Sequence, residues 1–164
     1  MNRDDIDLLF RYADWANARV LNQVAQVTPA DYTAPAPVPH GSLRGTLVHA
    51  LAAEVIWRRR CQGDSPARLL NEDDLPTAAA LIARWQQEAQ ALRRFIANLT
   101  DDDLVRMLDY QTTNGTPKSN VVWHLLAHLV NHGTQHRTEA AMLLTGCGHS
   151  PGDLDLVVFL RQTL

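Results

Sequence analysis

Apolar residues early in the chain recur in steps of three and four: Ile6, Leu9, Phe10, Ala13, Ala16, Val20, Leu21 and Val24. That spacing is the period of one helical face, and it predicts a helix from Asp4 to about Val27. Asp4 and Asp5 suit its positive end. The segment "TPADYTAPAPVPHGS" then breaks the period with Pro29, Pro35, Pro37 and Pro39, and reads as an ordered or semi-extended connector. A second helix is expected from about Ser42, its cap, to Gln62, with Gly63 at the stop. Its first turns are apolar around most of the circumference, which suits a central helix. A third, capped by Thr77, runs to about Leu99 and buries Leu81, Ile82, Trp85, Ala89, Leu92, Phe95 and Ile96.

The stretch "DDDLVRMLDYQTTNGTPKSN" loses the helical pattern, and its Asn114-Gly115 dipeptide signals a small hairpin or irregular excursion. Ser119 or Asn120 can cap a fourth helix that ends near Thr145 and Gly146. A short last helix is expected from about Asp153 to Leu164. The pattern predicts one all-α domain over residues 1–164, a four-helix bundle with a short C-terminal helix.

Composition narrows the function. A hydrophobic share of 46% supports a sizeable core, and a formal charge of −3 argues against nucleic-acid binding, which depends on neutralising phosphates. The clusters Arg58-Arg59-Arg60 and Arg93-Arg94 fall near helix ends, where cations complement the macrodipole. No apolar run approaches the ~20 residues that span a bilayer. The opening "MNRDDIDLLFRYADWANARV" does not read as a signal peptide, so the cytoplasm is the expected compartment. Cys61 and Cys147 form no CxxC pattern and imply no disulfide.

Candidate chemistry sits in the histidines. Four of the seven, His124, His128, His132 and His136, follow one another at four-residue intervals in "HLLAHLVNHGTQHR". On a helix each member of the stripe drifts by about 40° from the last, so all four cannot face one ion, but two neighbours can. Spacing alone leaves 124/128, 128/132 and 132/136 open. A further ligand has to come from a facing helix, and His49 stands alone in the apolar "GTLVHALAAEVIW". Gly45, Ala52 and Ala53 on that side of the helix leave room for an ion and something bound to it. Imidazole nitrogen suits several divalent ions, with zinc or nickel expected before iron or manganese. His40 and His149 fall in loops and read as ordinary surface residues. A metal-free alternative is a histidine-lined helix interface.

The segments "RGTLVHALAAEVIW", "WHLLAHLVNHGTQHRTEAAMLL" and the opening "LLFRYADWANARVL" resemble the DinB/YfiT-like family of bacterial helical bundles, over nearly the whole chain. The resemblance implies a divalent metal held by one histidine of the second helix and an H-x3-H pair of the fourth. Carried over, those are His49, His132 and His136. His128 then neighbours the site, and His124 serves packing or an interface.

Three neutral ligands leave a coordination position open, the mark of a catalytic rather than structural ion. Relatives of this kind imply a transferase or isomerase using a low-molecular-weight thiol such as bacillithiol or mycothiol on a small electrophile. Some imply a hydrolase instead. The alternative is a non-catalytic metal-binding or stress-response protein. Arg137, directly after the last ligand, is a candidate for binding an anionic group at the rim, or else an ordinary helix arginine. Glu54 is a candidate base or partner of a ligand, although its helical angle suits another face. Relatives also imply a homodimer, to which exposed-looking aromatics on the first helix would contribute.

Overall fold

The computed structural model describes residues 1–163. Four long helices carry the fold: α1 (Arg3–Val24), α3 (Leu43–Cys61), α4 (Ala78–Ala97) and α6 (Val122–Gly146). Short elements fill the connections: α2 (Pro29–Thr33), a 3-10 turn at Glu72–Asp74, α5 (Asp101–Val105), the strands β1 (Met107–Gln111) and β2 (Pro117–Val121), and α7 (Leu156–Thr163). The expected all-α bundle with a hairpin is the architecture found.

Caps account for the helix starts. Asn2 and Asp5 form a reciprocal capping box on α1, and Ser42 and Thr77 accept from the backbone N–H groups of Gly45 and Ala80. The start of α6 departs from expectation. Ser119 and Asn120 lie in β2, paired with Asp109 and Leu108, and α6 begins without a side-chain cap. The hairpin supplies the substitute: the Val122 N–H donates to the Arg106 carbonyl at 3.0 Å. At the hairpin tip Gly115 takes φ +80°, which makes the Asn114-Gly115 turn possible. The proline-rich connector contains α2, with Pro29 in the first turn, where a missing N–H costs nothing.

Each long helix packs against two others. α6 lies against α1 and α3, and α4 lies against the same two. The pairs α1/α3 and α4/α6 are therefore diagonals, and residues 25–42 and 98–121 are long because each connection crosses the end of the bundle. The first-helix aromatics are not free: Tyr12 is buried, and Phe159 of α7 packs on Tyr12 and Trp15 at ring-centroid distances of 6.1 and 5.8 Å. Among the described residues, no helix is long and apolar enough to cross a membrane.

The apolar core divides in two. One cluster joins Ile6, Phe10, Leu92, Ile96, Leu108, Leu126 and Phe159; the other joins Val20, Val24, Tyr32, Leu47, Leu51, Leu81 and Leu144. Between them runs a buried polar layer with one residue from each long helix. Asn17 of α1 donates to Glu54 of α3 at 3.0 Å, Trp85 Nε1 of α4 donates to the other Glu54 oxygen at 3.0 Å, and Arg137 of α6 donates to Asn17 Oδ1 at 3.1 Å. Lower on α4, Glu88 is buried between Arg58 and Arg84. On α6 His136 directly precedes Arg137 of this layer, and on α3 His49 lies five residues ahead of Glu54.

Candidate metal centre

His49 projects from the second turn of α3, and His132 and His136 from consecutive turns of the facing α6. The Nε2 atoms of His49 and His132 stand 3.1 Å apart, and those of His132 and His136 3.2 Å apart. Two nitrogens each about 2.05 Å from one ion at a tetrahedral angle are separated by about 3.3 Å, so the spacing matches a shared ion. Of the pairings that spacing alone leaves open, the structure brings 132/136 to His49.

The protonation of the cluster points the same way. His136 Nδ1 pairs with Glu139 Oε2 at 2.8 Å, which turns its Nε2 towards His132. In the His136 tautomer that donates from Nδ1, His132 Nε2 can donate to His136 or accept from His49, but not both. One of the two close nitrogen pairs is then left without a hydrogen of its own. His132 Nδ1 is buried and has no hydrogen-bond partner. Burial, then the neighbouring histidines, push His49 and His132 down to about 4, so both rings are neutral near pH 7. Neutral imidazoles with converging lone pairs are the form that ligates a cation. The residues present therefore fit a divalent ion.

A fourth histidine belongs to the cluster. His40, expected on the surface, stacks on His49 with centroids 3.8 Å apart and planes 18° from parallel, and meets the His136 ring edge-on at 5.2 Å. Ligand nitrogens of His40, His49 and His136 all lie within 4.8 Å of one another. The cause is Gly45: a Cβ there would fall 2.1 Å from the His40 carbonyl oxygen. Absence of a side chain lets the turn before α3 lie flat on the helix. The room expected beside Gly45 is thus taken by His40. Ala53 packs into the core, and Ala52 faces a cleft with Arg59 and Leu69. The signal in the sequence was "HGSLRG", a histidine just ahead of a helix cap with glycine one turn inside.

Other candidates are placed elsewhere. Arg137 is not at a rim: it is 3% exposed, bonded to Asn17 and Thr134, with its guanidinium 5.4 Å from the centre of the Tyr12 ring. Glu54 faces the polar layer, not the histidines. His128 is exposed, 5.6 Å from Trp57 and 5.7 Å from His132 between ring centroids, while His124 lies against Trp123. Cys61 is buried and its thiol is pushed up to about 11, which removes it as a nucleophile. Asn17 and Trp85 carry polar roles that periodicity did not reveal. The cleft between α1 and α4, about 330 Å³ and lined by Asp14, Asn17, Leu21 and Trp85, does not include the histidines.

A profile of the DinB family matches residues 1–163. The chain belongs to the DinB family. Protein DinB of Bacillus subtilis (strain 168) is 25% identical over 171 aligned positions, covering 94% of each chain. Within this DinB-family bundle, His40, His49 and His136 make up a group able to hold a metal ion.

Proposed function

We propose that this DinB-family chain is a divalent-metal enzyme, a thiol-dependent transferase acting on a small electrophile. The observation that carries the reading is the convergence of three Nε2 atoms, from His49, His132 and His136, at spacings of 3.1 and 3.2 Å. An all-imidazole donor set suits zinc or nickel. When bound, such an ion supplies Lewis acidity and lowers the pKa of a coordinated thiol. His49, His132 and His136 would hold the ion, with Glu139 fixing the His136 ring so that Nε2 faces His132. Three neutral donors leave the ion's charge uncompensated, which favours an anionic sulfur as the added ligand.

A second reading, a closed non-catalytic site, is favoured by the reach of His40, whose ligand nitrogen lies within 4.8 Å of those of His49 and His136. Metal content separates the first questions. Untagged protein purified without chelator should hold near one equivalent per chain, and a His132→Ala/His136→Ala variant almost none. Equal trace metal in both, after reconstitution, would end the metalloenzyme reading. Thiol consumption with an electrophile such as 1-chloro-2,4-dinitrobenzene, absent from the double variant, tests the transferase.

A further inference from the structure

We propose that His40 is a switchable fourth ligand, which closes the metal site when it ligates and opens it when it stacks on His49. This rests on the reading that His49, His132 and His136 hold an ion. Reach is not in question, since ligand nitrogens of His40, His49 and His136 lie within 4.8 Å of one another. Orientation decides the matter. Imidazole lone pairs lie in the ring plane, and the His40 and His49 rings are stacked with centroids 3.8 Å apart and planes only 18° from parallel. Two rings so placed cannot aim lone pairs at one ion. His40 has to turn about its side-chain bonds to ligate beside His49, whereas the Nε2 atom of His132 already stands 3.1 and 3.2 Å from those of His49 and His136.

Its attachment suits that role. The three other histidines sit inside long helices, but His40 rides on a turn closed by local bonds: Ala36 N–H to Gly41 O at 2.8 Å, and Gly41 N–H to Val38 O at 2.9 Å. Pro37, Pro39 and Gly41 around it are exposed. Ring contacts with His49 and His136 hold His40, and its side chain makes no hydrogen bond among the described residues. His40 and His49 are half-buried while His136 is buried, so His40 stands on the more open side of the cluster. Exchange balances simply: one metal–nitrogen bond to His40 breaks, one metal–sulfur bond forms, and the thiol proton passes to buffer.

The test uses the full chain loaded with cobalt(II), whose visible bands report coordination number, and 2-mercaptoethanol as the probe thiol. His40→Phe keeps a ring stacked on His49 and removes the ligand nitrogen; His40→Ala removes both. The parent should bind cobalt more tightly than His40→Phe and need about tenfold more thiol to reach the midpoint of the sulfur-to-cobalt charge-transfer band, because the thiol competes with His40. Both variants should keep one equivalent of cobalt and show altered bands before thiol is added. Identical bands and midpoints in parent and His40→Phe would overturn the proposal while leaving the three-histidine site intact. Loss of cobalt from His40→Phe as complete as from His132→Ala/His136→Ala would overturn it too, by making His40 a permanent ligand. A parent that binds no cobalt would bring down the metal reading itself.

Discussion

A methyl group on residue 45 would lie 2.1 Å from a backbone oxygen, and backbone cannot swing aside as a side-chain tip can. Gly45→Ala therefore has to lift the His40 turn off α3. It should cost about 1–3 kcal/mol in urea unfolding, as overpacking does, despite the roughly 1 kcal/mol that Ala gains over Gly inside a helix. A variant as stable as the parent would show that the turn yields freely. Glu139 offers a separate test at this scale. Its only described bond is to His136 Nδ1, at 2.8 Å and near the protein surface. Glu139→Ala should weaken metal binding about 10- to 100-fold, the usual effect of losing such a partner. Unfolding of the metal-free protein should hardly change, and a chelator competition titration beside a melt would separate the two effects.

At the scale of elements, α7 acts as a cover. Phe159 is buried against Tyr12 and Trp15, and the Tyr12 hydroxyl donates to the Leu154 carbonyl at 2.9 Å. Phe159→Ala should lower stability by about 3–5 kcal/mol and shift tryptophan emission to the red as Trp15 meets water. Unchanged emission would mean α7 is not held there in solution. The long helices were legible because a 3.6-residue period repeats over many turns, and the same period carried His132 and His136 to one face. Connections carry no period, so α2 was hidden among prolines, α5 behind three aspartates, and the hairpin's lead into α6 behind plausible caps at Ser119 and Asn120. His40 was missed for the same reason. Its position depends on a glycine five residues later, in another element. Trp85 looked like an ordinary member of an apolar stripe and Asn17 carried no signal, since the partners that define both lie on other helices.

For the whole molecule, the buried polar layer makes stability depend on pH. Burial raises Glu54 from the ordinary 4.5 to about 7, partly offset by the hydrogen bond from Asn17 and the charge of Arg137. The folded chain thus holds a proton that the unfolded chain releases. This contribution is whole below about pH 4.5 and is lost as pH rises through 7. Glu54→Gln removes the titration, so its stability relative to the parent should improve between pH 4.5 and 8 by up to about 3 kcal/mol. A difference that stays constant across that range, in urea unfolding at each pH, would show that Glu54 titrates normally. Metal should act on the whole bundle as well, because α3 and α6 both contribute histidines. Chelator treatment should lower the melting temperature, and excess ion at about a thousand times its dissociation constant should add about 4 kcal/mol.

The layer also has a meaning for assembly. A bundle with leucine at every level can slide one helix past another by a turn and lose little. Here a slip of one turn would carry Arg137 or Glu54 into a band of leucines, and an unpaired buried charge costs several kcal/mol. Asn17, Glu54, Trp85 and Arg137 each come from a different helix, so every helix is indexed against the others. His49 is five residues from Glu54, and His136 is next to Arg137. Whatever sets the axial position of those two anchors also sets the histidines across from one another. An ion bound there would find its ligands already in register, and its binding energy would not be spent on aligning the helices.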